Sequence, residues 1–202
     1  MGLNTSSGRK QWVDHLPVYI GLAAAATGCV VLLGWIADIP ILTSLLPGLA
    51  TMKPNTAAAF VIISACLWLL RMKAGEMPST IRLRAAQALA FVLAAISVLT
   101  LVEYAADVDL GIDHMLVGIL MPQVQAAASW RMAPMTAVNF TLLAAAFLTL
   151  DVVTARGRRP AHWIALGVAA NSFVALLGYV YGVSPCIGSA PSIRWRCTRP
   201  CG

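Results

Sequence analysis

Charge is scarce in this chain. Only 11% of its 202 residues are Asp, Glu, Lys or Arg, against about 25% in soluble domains, while 59% are hydrophobic. That balance excludes a water-soluble globule and points to an integral membrane protein. Histidine is scarce as well: His15, His114 and His162 fall on both predicted sides of a membrane, so they cannot jointly hold one metal or haem. No Walker loop, dinucleotide fingerprint, H-E-x-x-H or G-x-S-x-G occurs, which removes the commonest nucleotide-dependent and hydrolytic chemistries. Ionisable residues are nearly missing from the apolar runs, with Glu103 and Asp151 close to their ends. A proton-coupled pump or ion pathway needs such residues at mid-membrane, so a transporter is disfavoured. No catalytic residue, metal site or cofactor is expected.

What is present is a series of long apolar runs. They read as an all-α, polytopic transmembrane helix bundle with about five spans, at roughly 16–36, 55–71, 85–106, 135–153 and 161–183. The second is short, so its helix either extends back through Ile41 to Met52, broken at Pro47-Gly48, or lies beside a re-entrant turn. Basic residues before a first apolar run also fit a secretory signal, but no small-x-small cleavage site closes the run, and an uncleaved span is expected. Lys and Arg set the orientation. Arg9, Lys10, Arg71, Lys73, Arg82, Arg84, Arg156, Arg158 and Arg159 fall in alternate segments, which the positive-inside rule assigns to the cytoplasm. Residues 1–15 are then a cytoplasmic segment, 16–185 the membrane domain, and 186–202 a separate tail. The net charge of +6 lies on loops that anionic lipid satisfies, so membrane lipid rather than nucleic acid is the expected partner.

An internal repeat organises the runs. Met52-Lys53-Pro54-Asn55-Thr56-Ala57-Ala58-Ala59-Phe60 and Met132-Ala133-Pro134-Met135-Thr136-Ala137-Val138-Asn139-Phe140 share M-x-P-x-T-A-x-x-F, and each opens an apolar run, which predicts duplicated hairpins. Proline suits the first turn of a helix, and Asn or Thr oxygens beside it can cap exposed N–H groups. The plain reading is a good helix start at the membrane surface. The functional one has two helix N-termini converging to present positive dipole ends to a polar or anionic ligand, through Pro54, Asn55, Thr56, Pro134 and Thr136.

The loop from Glu103 to Met132 is the most polar external region. Glu103, Tyr104, Asp107, Asp109, Gly111, Asp113 and His114 crowd its start, and Arg131 stands at its end. Such oxygen density suits a hard cation or signal ligand, with Glu103, Tyr104, Asp109, Asp113 and Arg131 as the sensing candidates, yet the spacing lacks the terminal Glu of a calcium loop. A solvated turn that keeps acids out of lipid is the simpler reading. Residues 114–128 have the offsets of a surface amphipathic helix. Gly21 with Ala25, Ala24 with Gly28, and Ala86, Ala90 and Ala94 give small-xxx-small spacings that favour close helix packing.

Cys29 and Cys66 lie within spans and read as packing residues, whereas Cys186, Cys197 and Cys201 crowd a basic tail without periodicity. With permitted codons, the tail read one base earlier gives LYRIGSLHPMALHTALW, which contains M-A-L-H-T-A, a third repeat-like element. The expectation is a one-base deletion after Ser184 that truncated a longer gene. Resequencing tests it: no apolar third repeat in the shifted frame would dismiss the idea.

The elements MKPNTAAAF, LVEYAADVDLGID, RMAPMTAVNFTLLAAAFLTL and LLGYVYGVSP together resemble the multi-pass N-terminal membrane region ahead of PAS, histidine kinase and diguanylate cyclase modules in bacterial signalling proteins, over about residues 16–185. The resemblance implies a sensory input domain whose last helix returns to the cytoplasm and drives an output module. The chain itself carries no phosphoacceptor helix, ATP-binding region or cyclase signature, so it is expected to be no enzyme but a fragment without its output domain. A stand-alone accessory subunit, packing its small-residue faces on another membrane protein or on a second copy, is the alternative. The signal ligand is unknown on either reading.

Overall fold

Four prolines start helices. Pro40, Pro54, Pro134 and Pro160 each take the first helical position, where the absent N–H would have no intrahelical partner and the fixed φ is already helical. The computed structural model describes residues 5–43, 51–71, 79–108, 132–154 and 157–180, with Gly111 and Gly118. Among them the regular structure is helical: α1 (Thr5–Ile36), α2 (Pro40–Thr43), α3 (Pro54–Leu69), α4 (Thr80–Ala106), α5 (Pro134–Leu148) and α6 (Pro160–Val180).

Three segments are long and apolar enough to cross a membrane, Leu16–Ile36 of α1, Thr80–Ala106 of α4 and Pro160–Gly178 of α6. The other two apolar helices, α3 and α5, are shorter. At 16 residues α3 measures about 24 Å, and at 15 residues α5 about 22 Å, below the ~30 Å hydrocarbon core of a bilayer. Length alone therefore supports three crossings where the apolar pattern predicted five. The expected 135–153 run is the clearest shortfall: α5 stops at Leu148, and Thr149 turns its hydroxyl back onto the Ala145 carbonyl at 2.7 Å. The 85–106 run is longer than expected because Ser79 caps α4, its Oγ accepting from the Arg82 N–H at 3.4 Å. α1 begins at Thr5, so residues 5–15 continue the first helix without a break at residue 16.

Thr51 to Lys53 are not helical, and the Met52 N–H donates to the Thr43 carbonyl at 2.8 Å. α3 therefore starts at Pro54 and does not run back through Met52, while the expected break at Pro47-Gly48 lies outside the described residues.

Helices follow one another as antiparallel neighbours. α1 packs on α2 and α3, α3 on α4, α4 on α5, and α5 on α6, while α3 touches α5 over a short stretch. Small residues set the closest approaches. A Cβ on Gly28 would lie 2.7 Å from the Ala57 carbonyl oxygen and 2.8 Å from Val61 Cγ2. Ala86 and Ala90 are buried at the α3–α4 seam, where the Cys66 thiol donates to the Ala86 carbonyl at 3.5 Å. Cys66 is therefore a packing residue as expected; Cys29 instead lies on the exposed side of α1. The core joins Ala59, Ile63 and Cys66 of α3 to Ala90, Leu93 and Ile96 of α4 and to Ala137, Phe140 and Ala144 of α5.

Candidate functional site

Both copies of the repeat open a helix in the same way. Lys53 precedes α3 with φ −72° and ψ 147°, and Ala133 precedes α5 with φ −62° and ψ 142°. The first intrahelical bonds correspond, Ala57 N–H to the Lys53 carbonyl at 3.1 Å and Ala137 N–H to the Ala133 carbonyl at 3.0 Å. Neither start has a side-chain cap. The expected capping by Asn or Thr is corrected here: Asn55 and Thr56 lie inside the first turn, past the cap position, as does Thr136.

Each start is also tethered from the end of a long helix earlier in the chain. Trp35 Nε1 donates to the Met52 carbonyl at 2.9 Å, and the Tyr104 hydroxyl donates to the Met132 carbonyl at 3.0 Å. The donors sit in matching stretches, Gly34-Trp35-Ile36-Ala37-Asp38-Ile39 and Glu103-Tyr104-Ala105-Ala106-Asp107-Val108. Both end in a left-handed aspartate, Asp38 at φ 52° and Asp107 at φ 51°, a conformation that Asp tolerates better than most side chains. The following N–H closes back five residues, Ile39 to the Gly34 carbonyl at 2.8 Å and Val108 to the Glu103 carbonyl at 3.3 Å, as at a Schellman end. Sequence reasoning missed this second correspondence. Its signal, aromatic-x-Ala-Asp-aliphatic in W-I-A-D-I and Y-A-A-D-V, was short and sat at a different spacing from the M-x-P repeat.

The two repeat copies touch through their last residues, six positions inside each helix. The rings of Phe60 and Phe140, the last residues of the two copies, make an edge-to-face contact with centroids 5.8 Å apart. Pro54 and Asn55 are buried, while Thr56, Pro134 and Thr136 are half-buried. Glu103 is 1% exposed although it is a carboxylate at the end of an apolar helix, whereas its neighbour Tyr104 remains 38% exposed. That corrects one expectation: Glu103 is not part of a solvated turn, and the acid facing outward there is Asp107. Asp109, Asp113 and Arg131, and the expected helix over 114–128, lie outside the described residues, as does the tail from 186.

Charge is sorted between the two ends. The repeat end carries Asp38, Lys53, Glu103 and Asp107; the opposite end carries Arg71, Arg82, Arg84, Arg158 and Arg159, with Asp151 accepting from Gln87 Nε2 at 3.2 Å. Between the ends, polar side chains join helices. Ser64 Oγ donates to the Gly21 carbonyl at 2.6 Å, Thr141 Oγ1 to Ser97 Oγ at 3.0 Å, and Asn171 Nδ2 to Asn139 Oδ1 at 2.7 Å, with Asn139 Nδ2 reaching Ser172 Oγ at 3.4 Å. No protein-family model matches the chain, and neither a curated protein nor a solved structure matches it.

Proposed function

We propose that the chain is a membrane-embedded sensory input module of the bacterial signalling type, built from two duplicated hairpins, α1–α3 and α4–α5, followed by α6. The observation that carries this reading is the matched pair of repeat starts, each held by an aromatic donor from a long helix earlier in the chain, with Phe60 and Phe140 in contact and Glu103 buried next to Tyr104 in the sequence. Five apolar helices then cross the bacterial inner membrane, with α3 and α5 as short central spans. The arginine-rich end faces the cytoplasm, including the N-terminus, and the repeat end faces outward.

A signal met at the repeat end has a mechanical route inward. The Tyr104 tether and the Phe60–Phe140 contact couple the loop ends to α3 and α5, and Asn139 couples α5 to α6. A ligand that favours one arrangement of these tethers shifts the population of helix positions at the cytoplasmic end. Spin labels at Arg82 and Arg158 test this in the full chain. Tyr104→Phe and Glu103→Gln should each move the label distance by about 1–2 Å, the scale of helix shifts in switching proteins. Unchanged distributions in both variants would remove the sensory reading.

The accessory-subunit reading draws on a different observation. Only 11% of the most apolar window of α6 is buried, and Trp163, Leu166, Phe173 and Val174 all face outward. Copurification with a membrane partner or a second copy at fixed stoichiometry would favour that reading, and lipid alone around α6 would not.

A further inference from the structure

A groove of about 740 Å³ runs between α1 and α3 on the arginine-rich half of the bundle. Small residues line it, Gly21 and Ala25 on α1 and Ser64 and Ala65 on α3, with Trp68 also in its wall. The Ser64 hydroxyl within it is already committed to the Gly21 carbonyl, so the wall offers an apolar occupant little competition from unsatisfied polar groups. At the end of α3 the lining changes character at Arg71, which is exposed and, among the described residues, has no carboxylate beside it in the groove.

We infer that this groove binds an anionic glycerophospholipid, with one acyl chain along α1 and α3 and the headgroup phosphate on Arg71. The dimensions fit. From Val61 to Leu69 the helical rise is about 12 Å, and Leu70 and Arg71 carry the chain past the helix end toward the ~15 Å depth of one leaflet. The volume lies within the ~300–1,000 Å³ usual for small-molecule sites. Arg71 pairs with phosphate through a planar fork that a hydrated ammonium lacks. Arg82 and Arg84 at the same end add a positive field that selects an anionic over a zwitterionic headgroup. The inference needs the bundle to sit in a membrane but does not need it to sense anything.

Native mass spectrometry of the full chain in detergent, with phosphatidylglycerol or phosphatidylcholine of matched chains added, tests the site. The wild type should retain phosphatidylglycerol preferentially, and Arg71→Gln, at an exposed position, should reduce that retention about fivefold. Ala25→Leu, which fills the groove, should reduce retention of both lipids while helicity by circular dichroism stays unchanged. Arg158→Gln, on the same end but outside the groove, should leave retention as in the wild type. Equal retention by Arg71→Gln, equal loss in Arg158→Gln, or full displacement by inorganic phosphate would each overturn the site.

Discussion

The ring of Phe60 meets that of Phe140 edge to face, the planes 87° apart. Phe140 is buried and Phe60 half-buried, so the contact pins the start of α3 to the start of α5, two helices that otherwise touch little. A double-mutant cycle with Phe60→Leu and Phe140→Leu in denaturant titrations should return a coupling of about 0.5–1.5 kcal/mol, as edge-to-face pairs give beyond their buried area. A coupling indistinguishable from zero would mean that the two starts are held only through α4.

Glycines on α1 differ in what they tolerate. Gly28 lies against the α3 backbone, its hypothetical Cβ 2.7 Å from a carbonyl oxygen that belongs to the helix itself, whereas the nearest atom to a Cβ on Gly21 is Leu67 Cβ at 3.6 Å. Gly28→Ala should therefore destabilise by about 1–3 kcal/mol through overpacking. Gly21→Ala should be neutral or gain up to about 1 kcal/mol of helix propensity. Thermal loss of helicity in detergent separates them, and equal midpoints for the two variants would contradict the packing described.

Asn139 holds α6 to α5. Asn139→Leu leaves the Asn171 amide and the Ser172 hydroxyl without that partner in an apolar seam, and should cost about 0.6–2 kcal/mol. Asn171→Leu should cost a similar amount, and the double substitution little more than either alone. Protease sensitivity of residues 149–159, which link the two helices, reports the loosening. Additive costs would show that the amides act independently.

Orientation is open to direct measurement. On a background freed of native cysteines, Asp38→Cys at the repeat end should react with a membrane-impermeant thiol reagent added to intact cells, and Arg82→Cys only after the membrane is opened. The opposite pattern would invert the topology proposed from the arginine distribution.

Much of this architecture was legible because proline and small residues act locally. Pro54 and Pro134 marked helix starts to within one residue, and Gly28, Ala86 and Ala90 marked close seams. Which face of each helix packs was not legible, because lipid and protein neighbours are equally apolar and leave no amphipathic stripe to read. The tether from Trp35 was hidden for a different reason: it spans 17 residues, that from Tyr104 spans 28, and no single repeat period aligns both. The burial of Glu103 arises where α4 packs against its neighbouring helices, which no local pattern encodes.

The shortness of α3 and α5 has a physical outcome for the bilayer itself. If α3 and α5 cross the membrane as proposed, central helices of about 22–24 Å flanked by longer ones would create hydrophobic mismatch, which lipid beside them would meet by thinning. Membrane thickness would then load the short helices, so longer acyl chains would strain the Trp35 and Tyr104 tethers at their starts.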